Sequence, residues 1–350
     1  MNNIYINSIK QISAQQPLVE DWFEQPIFYS EPYIRAIEPD YKQFFTPNEV
    51  RRFGKILKRA LLVSRQAMAE SGVPLPDAII TGTGLGCIES TEIFLDKLVR
   101  DGEELLNPTH FMQSTHNTVG SLIAIDTKCH SYNSTYAHNG ISFECALQDA
   151  FLQMRRKDVV NRVSTALVGA HEEMTPTYFN LLKKAFYFGK PNQVFAGEVA
   201  VAMMLSTEKT EKTLCEIEAV EKMYFGHEEI DKFQSQISNL KISNPDYVMV
   251  GVNGDPKNDN VYLENCAKLF PNIPLLQYKN IFGENYTVPA LGVYAAAVCL
   301  QKGKIPDFLM LNTRYATQDS CKSQITNLKS KILFYNQFEN KNHTFILLSR

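Results

Sequence analysis

Short apolar runs alternate with segments of helical period along almost the whole chain, and this alternation restricts the fold more than any other feature. Ile4 to Ile9, Ala78 to Ile80, Asn133 to Ala137, Ser164 to Val168 and the strongly β-like Glu198 to Ser206 (EVAVAMMLS) read as strands in the first part of the chain. Cys215 to Val220, Tyr247 to Val252, Leu275 to Tyr278, Phe308 to Leu311 and Thr344 to Leu348 read as strands in the second. Between them lie helical segments over Asn48 to Ser71, Ser90 to Val99, Val119 to Ile125, Ile141 to Met154, Asp231 to Leu240, Val261 to Leu269 and Pro289 to Leu300. Pro17 to Asp40 has no clear period, and Pro108 to Thr118 reads as irregular. The order predicts an α/β class with parallel sheets covered on both faces. It suits a doubly wound nucleotide binder as well. Pro289 to Leu300 is apolar on nearly all sides and predicts a central buried helix.

A chain of 350 residues fits one large domain or two packed halves. Its formal charge of −3, from 35 basic and 38 acidic residues, leaves no positive surplus to hold a phosphate backbone, so nucleic acid is not an expected partner. Cys87, Cys129, Cys145, Cys215, Cys266, Cys299 and Cys321 are odd in number and form no Cys-x-x-Cys pair, which predicts reduced thiols and a cytoplasmic protein. The start MNNIYINSIK lacks the apolar run of a signal peptide. No apolar stretch reaches the roughly 20 residues of a spanning helix, so no membrane partner is expected. The loop Gly82-x-Gly84-x-Gly86 falls one residue short of dinucleotide-binding spacing and reads as a tight turn. His110, His116 and His130 lie near Cys129 without metal-ligand spacing. No cofactor and no metal are predicted.

Seven segments in collinear order carry a family resemblance. They are the helix RRFGKILKRALLVSRQAMAESGV, the loop GTGLGCIES, HNTVGSLIA, YNSTYAHNGISFECALQDA, ALVGAHEEMTP, FAGEVAVAMML and KNIFGENYTVPALGVYAAAVCLQKGKIP. Together they resemble the thiolase-like β-ketoacyl synthases of fatty acid and polyketide synthesis. The resemblance implies a five-layered α/β/α/β/α thiolase-like fold, duplicated as an N-terminal half over 1–206 and a C-terminal half over 207–350. Each half is expected to supply a mixed, mainly parallel sheet.

In that family a cysteine at a strand-to-helix elbow takes the acyl chain as a thiolate, and two histidines with a lysine support decarboxylation and stabilise the enolate. The resemblance puts the cysteine position on His138, the first histidine on Asn253, the second on Glu284 and the retained lysine on Lys279. The family's glycine-rich oxyanion loop falls on Gln337 to Asn342. Acyl-imidazoles hydrolyse readily, an asparagine cannot exchange its proton, and an ionised carboxylate repels an enolate. Such a site is expected not to condense. Glu284, five residues from Lys279, is placed to form a structural ion pair with it. Taken alone, His138 is open to three readings: a vestigial site, a catalytic base or a turn residue. Cys145 reads as core.

Chains of this kind resemble the chain-length-factor subunits of type II polyketide and aryl polyene pathways. The implied partners are an active ketosynthase or a second copy of the chain, together with acyl carrier protein. The segment Asn107 to His116 is then expected to cross the dimer, with Phe111, Met112 and His116 at the acyl tunnel and Phe111 and Met112 limiting chain length. The alternatives are an enzyme with an altered triad, either a 3-oxoacyl synthase or a malonyl-carrier decarboxylase, and an acyl-binding homodimer.

Overall fold

The computed structural model describes residues 3–103, 106–156, 162–185, 187–225, 245–311 and 330–350. The helix expected over Asp231 to Leu240 and Cys321 lie outside the described residues.

Alternation along each strand decides where it packs. In β4 (Thr165–Glu172) and β5 (Val199–Ser206), Leu167, Ala200, Ala202 and Met204 point to one apolar cluster, whereas Ala166, Val168, Val201, Met203 and Leu205 point to another. Both faces are apolar, so both are covered, as a side-chain period of two requires. The remaining strands are β1 (Tyr5–Ile12), β2 (Ala78–Gly82), β3 (Tyr132–Tyr136), β6 (Cys215–Tyr224), β7 (Tyr247–Val250), β8 (Leu275–Gln277), β9 (Lys331–Phe338) and β10 (Asn342–Ser349).

All ten form one hydrogen-bonded sheet in the order β3-β2-β4-β5-β1-β6-β10-β9-β7-β8. Read inward from each end, the two halves of that order match strand for strand. β2 pairs parallel with β3 and β4, and β4-β5 and β5-β1 are antiparallel. Likewise β7 pairs parallel with β8 and β9, and β9-β10 and β10-β6 are antiparallel. The arrays join where Tyr5 faces Glu216 and Ile6 faces Cys215. Each array is evenly mixed and not mainly parallel. The antiparallel share comes partly from the β9-β10 hairpin, whose short turn at Glu339 to Lys341 permits no crossover.

Five layers result. Helices Lys55–Ser71 and Thr118–Thr127 cover the outer face of the first array. Helices Ser142–Arg155 and Pro289–Lys302 lie between the arrays, in a core that takes Val201 and Met203 from one side and Met249, Phe334 and Ile346 from the other. Helix Pro256–Leu269 covers the outer face of the second array through Tyr262 and Cys266. This is the α/β/α/β/α thiolase-like arrangement that the resemblance implied. Every residue from Pro289 to Leu300 is buried, as its all-round apolar surface demands. Among the described residues no helix is long and apolar enough to cross a membrane.

Several elements differ from expectation. Phe308 to Leu311 is not a strand: Asp307–Leu309 winds into a 3-10 turn, and only Met310 bridges to Leu276. The terminal strand pair is β9 and β10. Asn48 to Ser71 is two helices, Pro47–Val50 and Lys55–Ser71, separated before Gly54. Three described helices begin where a side chain accepts from a first-turn N–H ahead of proline: Asn107 caps Pro108–Gln113, Thr175 caps Pro176–Lys184 and Asp255 caps Pro256–Leu269.

Candidate functional site

Loops that follow β3, β7 and β8 meet the end of β9. At the end of β3 the chain turns sharply, with His138 at φ −136° and Asn139 at φ +48°, a left-handed position that asparagine tolerates. The His138 N–H donates to Ser142 Oγ at 2.7 Å, and Ser142 Oγ donates to the Asn139 carbonyl at 2.8 Å. Gly82 makes this elbow possible, because a Cβ there would lie 2.6 Å from the Ser142 backbone. A Cβ on Gly140 would enter the Phe338 ring, so the end of β9 packs directly on the elbow.

After β7, Asn253 is fixed from both sides. Its own N–H and that of Gly254 donate to Asp259 at 2.8 and 2.9 Å, while its Oδ1 accepts from the Asp255 N–H and from Asn258 Nδ2. Asn253 Nδ2 donates to Glu284 Oε2 at 2.8 Å. Lys279, at the start of the short helix Lys279–Phe282 after β8, donates to the same oxygen at 2.7 Å. Gln337, in β9 and not in a loop, donates to Asn258 Oδ1 at 2.8 Å. Asn336 donates to the Gly140 carbonyl at 3.1 Å and to Glu144 Oε1 at 2.5 Å, and it accepts from Tyr262 Oη at 2.8 Å.

Asn253, Lys279 and Glu284 thus share one oxygen and line one cavity of about 450 Å³. Met174, Leu182, Phe188, Val261, Tyr286 and Phe338 make most of its apolar wall. His138 is not among the lining residues; it is exposed. Among the described residues no thiol or imidazole lines the cavity. The six described cysteines are all buried, and burial raises the Cys145 thiol although Lys222 Nζ lies 2.9 Å from its sulfur. Full burial pushes the Glu144 carboxyl up to about 7 against the opposing hydrogen bond from Asn336. Donors converge on a carboxylate here and leave no buried unpaired cation among the described lining residues. The arrangement can bind a carbonyl group, and the described lining residues include no Cys nucleophile and no proton-transfer imidazole.

Phe111 and Met112 lie elsewhere, 57 and 63% exposed on helix Pro108–Gln113, a stretch expected to be irregular. The Phe111 ring meets Phe94 at 5.3 Å between centroids. His116 is exposed and packs over Gly86, where a Cβ would be 3.2 Å from its ring. Sequence reasoning missed Glu144, Asn258, Asp259, Tyr262 and Asn336 as members of the network. The available signal was Asp255-Pro256 at a helix start, which places Asn258 and Asp259 within reach of Asn253.

A comparison with curated protein sequences finds no match. Among solved structures, the chain is similar to the ishigamide ketosynthase/chain length factor, with 14% identity, 99% of each chain covered and a TM-score of 0.75. It is similar to AntDE:AntF, a type II polyketide synthase acyl-carrier protein in complex with its ketosynthase bound to the hexaketide, at 12% identity, 100 and 99% coverage and a TM-score of 0.77. A third is the ketosynthase ApeO in complex with its chain length factor ApeC from Xenorhabdus doucetiae, at 15% identity, 99 and 98% coverage and a TM-score of 0.72. At these identities the likeness is one of fold. The model of the β-ketoacyl synthase N-terminal domain matches residues 42–244, more than half of the sequence, and the chain belongs to the β-ketoacyl synthase family.

Proposed function

We propose that the chain is a non-condensing β-ketoacyl synthase homologue of the chain-length-factor type, which pairs with an active ketosynthase and shapes its acyl tunnel. The observation that carries this reading is the Glu284 carboxylate bound to both Lys279 and Asn253. Condensation needs an accessible thiolate and groups that stabilise a developing enolate. Here the lysine's charge is already met by a carboxylate, and the elbow carries His138 outside the cavity.

Surface composition supports pairing. Val99, Phe111, Met112, Ile125 and Leu152 are 84, 57, 63, 74 and 58% exposed, and the helices of Ile125 and Leu152 pack against β3, the edge strand among the described residues. Exposed apolar side chains in this number beside a free strand edge fit a partner interface. Solved neighbours that pair a ketosynthase with a chain length factor, or bind an acyl carrier protein, agree with these two partners. The repeated strand order likewise supports a division into halves over 1–206 and 207–350.

The test mixes the purified chain with a ketosynthase that retains its Cys-His-His set and with acyl carrier protein. A heterodimer by light scattering and a changed product length by mass spectrometry are expected, with longer products for Phe111→Ala or Met112→Ala. Failure to pair, or pairing without any effect on activity or length, overturns the proposal. A stable acyl adduct on His138 by intact-mass analysis points instead to an altered-triad enzyme.

A further inference from the structure

The charge balance of the cavity at Asn253, Lys279 and Glu284 says what it can hold. Lys279 is 5% exposed, and one of its three N–H groups goes to Glu284. The others have no acceptor among the described residues. Asn253 Nδ2 spends one N–H on the same oxygen, and the second has no acceptor among the described residues. Glu284 Oε1 has no donor among them either. The other charged groups of the lining leave no buried cation: Asp255 is paired with Lys190, and Lys257 and Glu339 are exposed at the rim.

The floor therefore presents N–H donors beside one acceptor oxygen, with the buried charge cancelled. A carbonyl oxygen answers the donors and an N–H answers the acceptor, which is the pattern of an amide. A carboxylate satisfies the donors but places a second negative charge next to Glu284 in a largely apolar site. Met174, Leu182, Phe188 and Phe338 supply a wall suited to an alkyl chain, and about 450 Å³ is within the range of small-molecule sites.

We infer that this cavity selects an uncharged acyl amide, an alkyl group bearing –CO–NH–, over the corresponding carboxylate, with Glu284 as the residue that sets the selectivity. The inference goes beyond the pairing function, since it concerns a ligand of this chain's own cavity and holds whether or not a heterodimer forms. A free fatty amide and the amide arm of a carrier share this chemistry.

Calorimetric titration of the full chain at pH 7.5 with two matched pairs, octanamide against octanoate and, for the end of the carrier arm, N-acetylcysteamine against 3-mercaptopropionate, tests it. At least one amide is expected to bind tenfold or more tightly than its paired acid, a difference of about 1.4 kcal/mol. The pair that shows the preference distinguishes a free ligand from a carrier arm. Glu284→Gln releases Lys279 to receive an anion and is expected to bring octanoate up by about tenfold, which narrows or reverses the ratio. Equal or tighter binding of both acids by the wild-type chain overturns the proposal, as does no binding of any of the four. An unchanged ratio in a folded Glu284→Gln overturns the role of Glu284. Should that variant not fold by circular dichroism, the wild-type ratios still decide the selectivity, independently of any pairing experiment.

Discussion

At residue scale, Lys279 is nearly buried, and its charge is met by one carboxylate at 2.7 Å. Removal of one partner from a buried pair leaves an uncompensated charge and costs far more than the pair itself contributes. Glu284→Ala is expected to destabilise the chain by about 3 kcal/mol; the value sits at the low end because the Glu284 side chain retains 17% exposure. Urea denaturation measures it, and the double variant Lys279→Met with Glu284→Leu is expected to lose clearly less than the sum of the single losses. Glu144 yields a pH prediction of definite sign. Burial raises its carboxyl from 4.5 to about 7, so the folded state binds a proton that the unfolded state releases. Its contribution is fully present below pH 4.5 and is lost as the pH rises through about 7. Glu144→Gln keeps the oxygen that accepts from Asn336 and removes the titration. The stability of Glu144→Gln relative to wild type should thus rise between those pH values, as thermal unfolding at stepped pH will show. A flat difference sinks the assignment of a raised carboxyl.

At the scale of elements, helix Pro256–Leu269 and strand β9 are joined by one hydroxyl. Tyr262 Oη donates to Asn336 Oδ1 at 2.8 Å and accepts from the Gln337 N–H at 3.1 Å, fully buried. Tyr262→Phe orphans both groups and is expected to cost about 2 kcal/mol, with faster amide exchange at Gln337 as the local signature. The same contacts explain why β9 was illegible in the sequence. Asn336 and Gln337 interrupt an otherwise apolar run, and only partners distant in sequence, Tyr262, Asn258, Gly140 and Glu144, make those polar groups tolerable in a buried strand. Strand β5 was legible because Val199 to Leu205 needs no polar partner from its side chains. Phe308 to Leu311 misled for the converse reason: its residues suit a strand, but the Leu309 and Met310 N–H groups bond back to Pro306 and Asp307 as a turn. At the site, Lys279 and Glu284 were within pairing distance by sequence alone. The contribution of Asp259, which holds the Asn253 loop, needed the helix start to be placed.

At whole-molecule scale, the two arrays repeat one strand order, but their surroundings differ. The cavity, walled by residues of both halves, has its lysine paired with Glu284, whereas the first array ends, among the described residues, at edge strand β3 with Ile125 and Leu152 exposed on the helices beside it. An exposed side chain contributes little to the fold of the isolated chain, so substitutions there separate folding from association. Ile125 is 74% exposed on helix Thr118–Thr127, which packs against β2 and β3. Ile125→Glu combined with Phe111→Glu is expected to leave the melting temperature of the isolated chain unchanged within about 2 °C, the shift of a surface change below 0.5 kcal/mol. The same substitutions place charge in the contact and should abolish association with the ketosynthase in sedimentation velocity, because a buried unpaired carboxylate offsets much of an interface's hydrophobic gain. Retained association assigns the interface to another surface. A drop of many degrees in melting temperature shows instead that this face is packed within the chain.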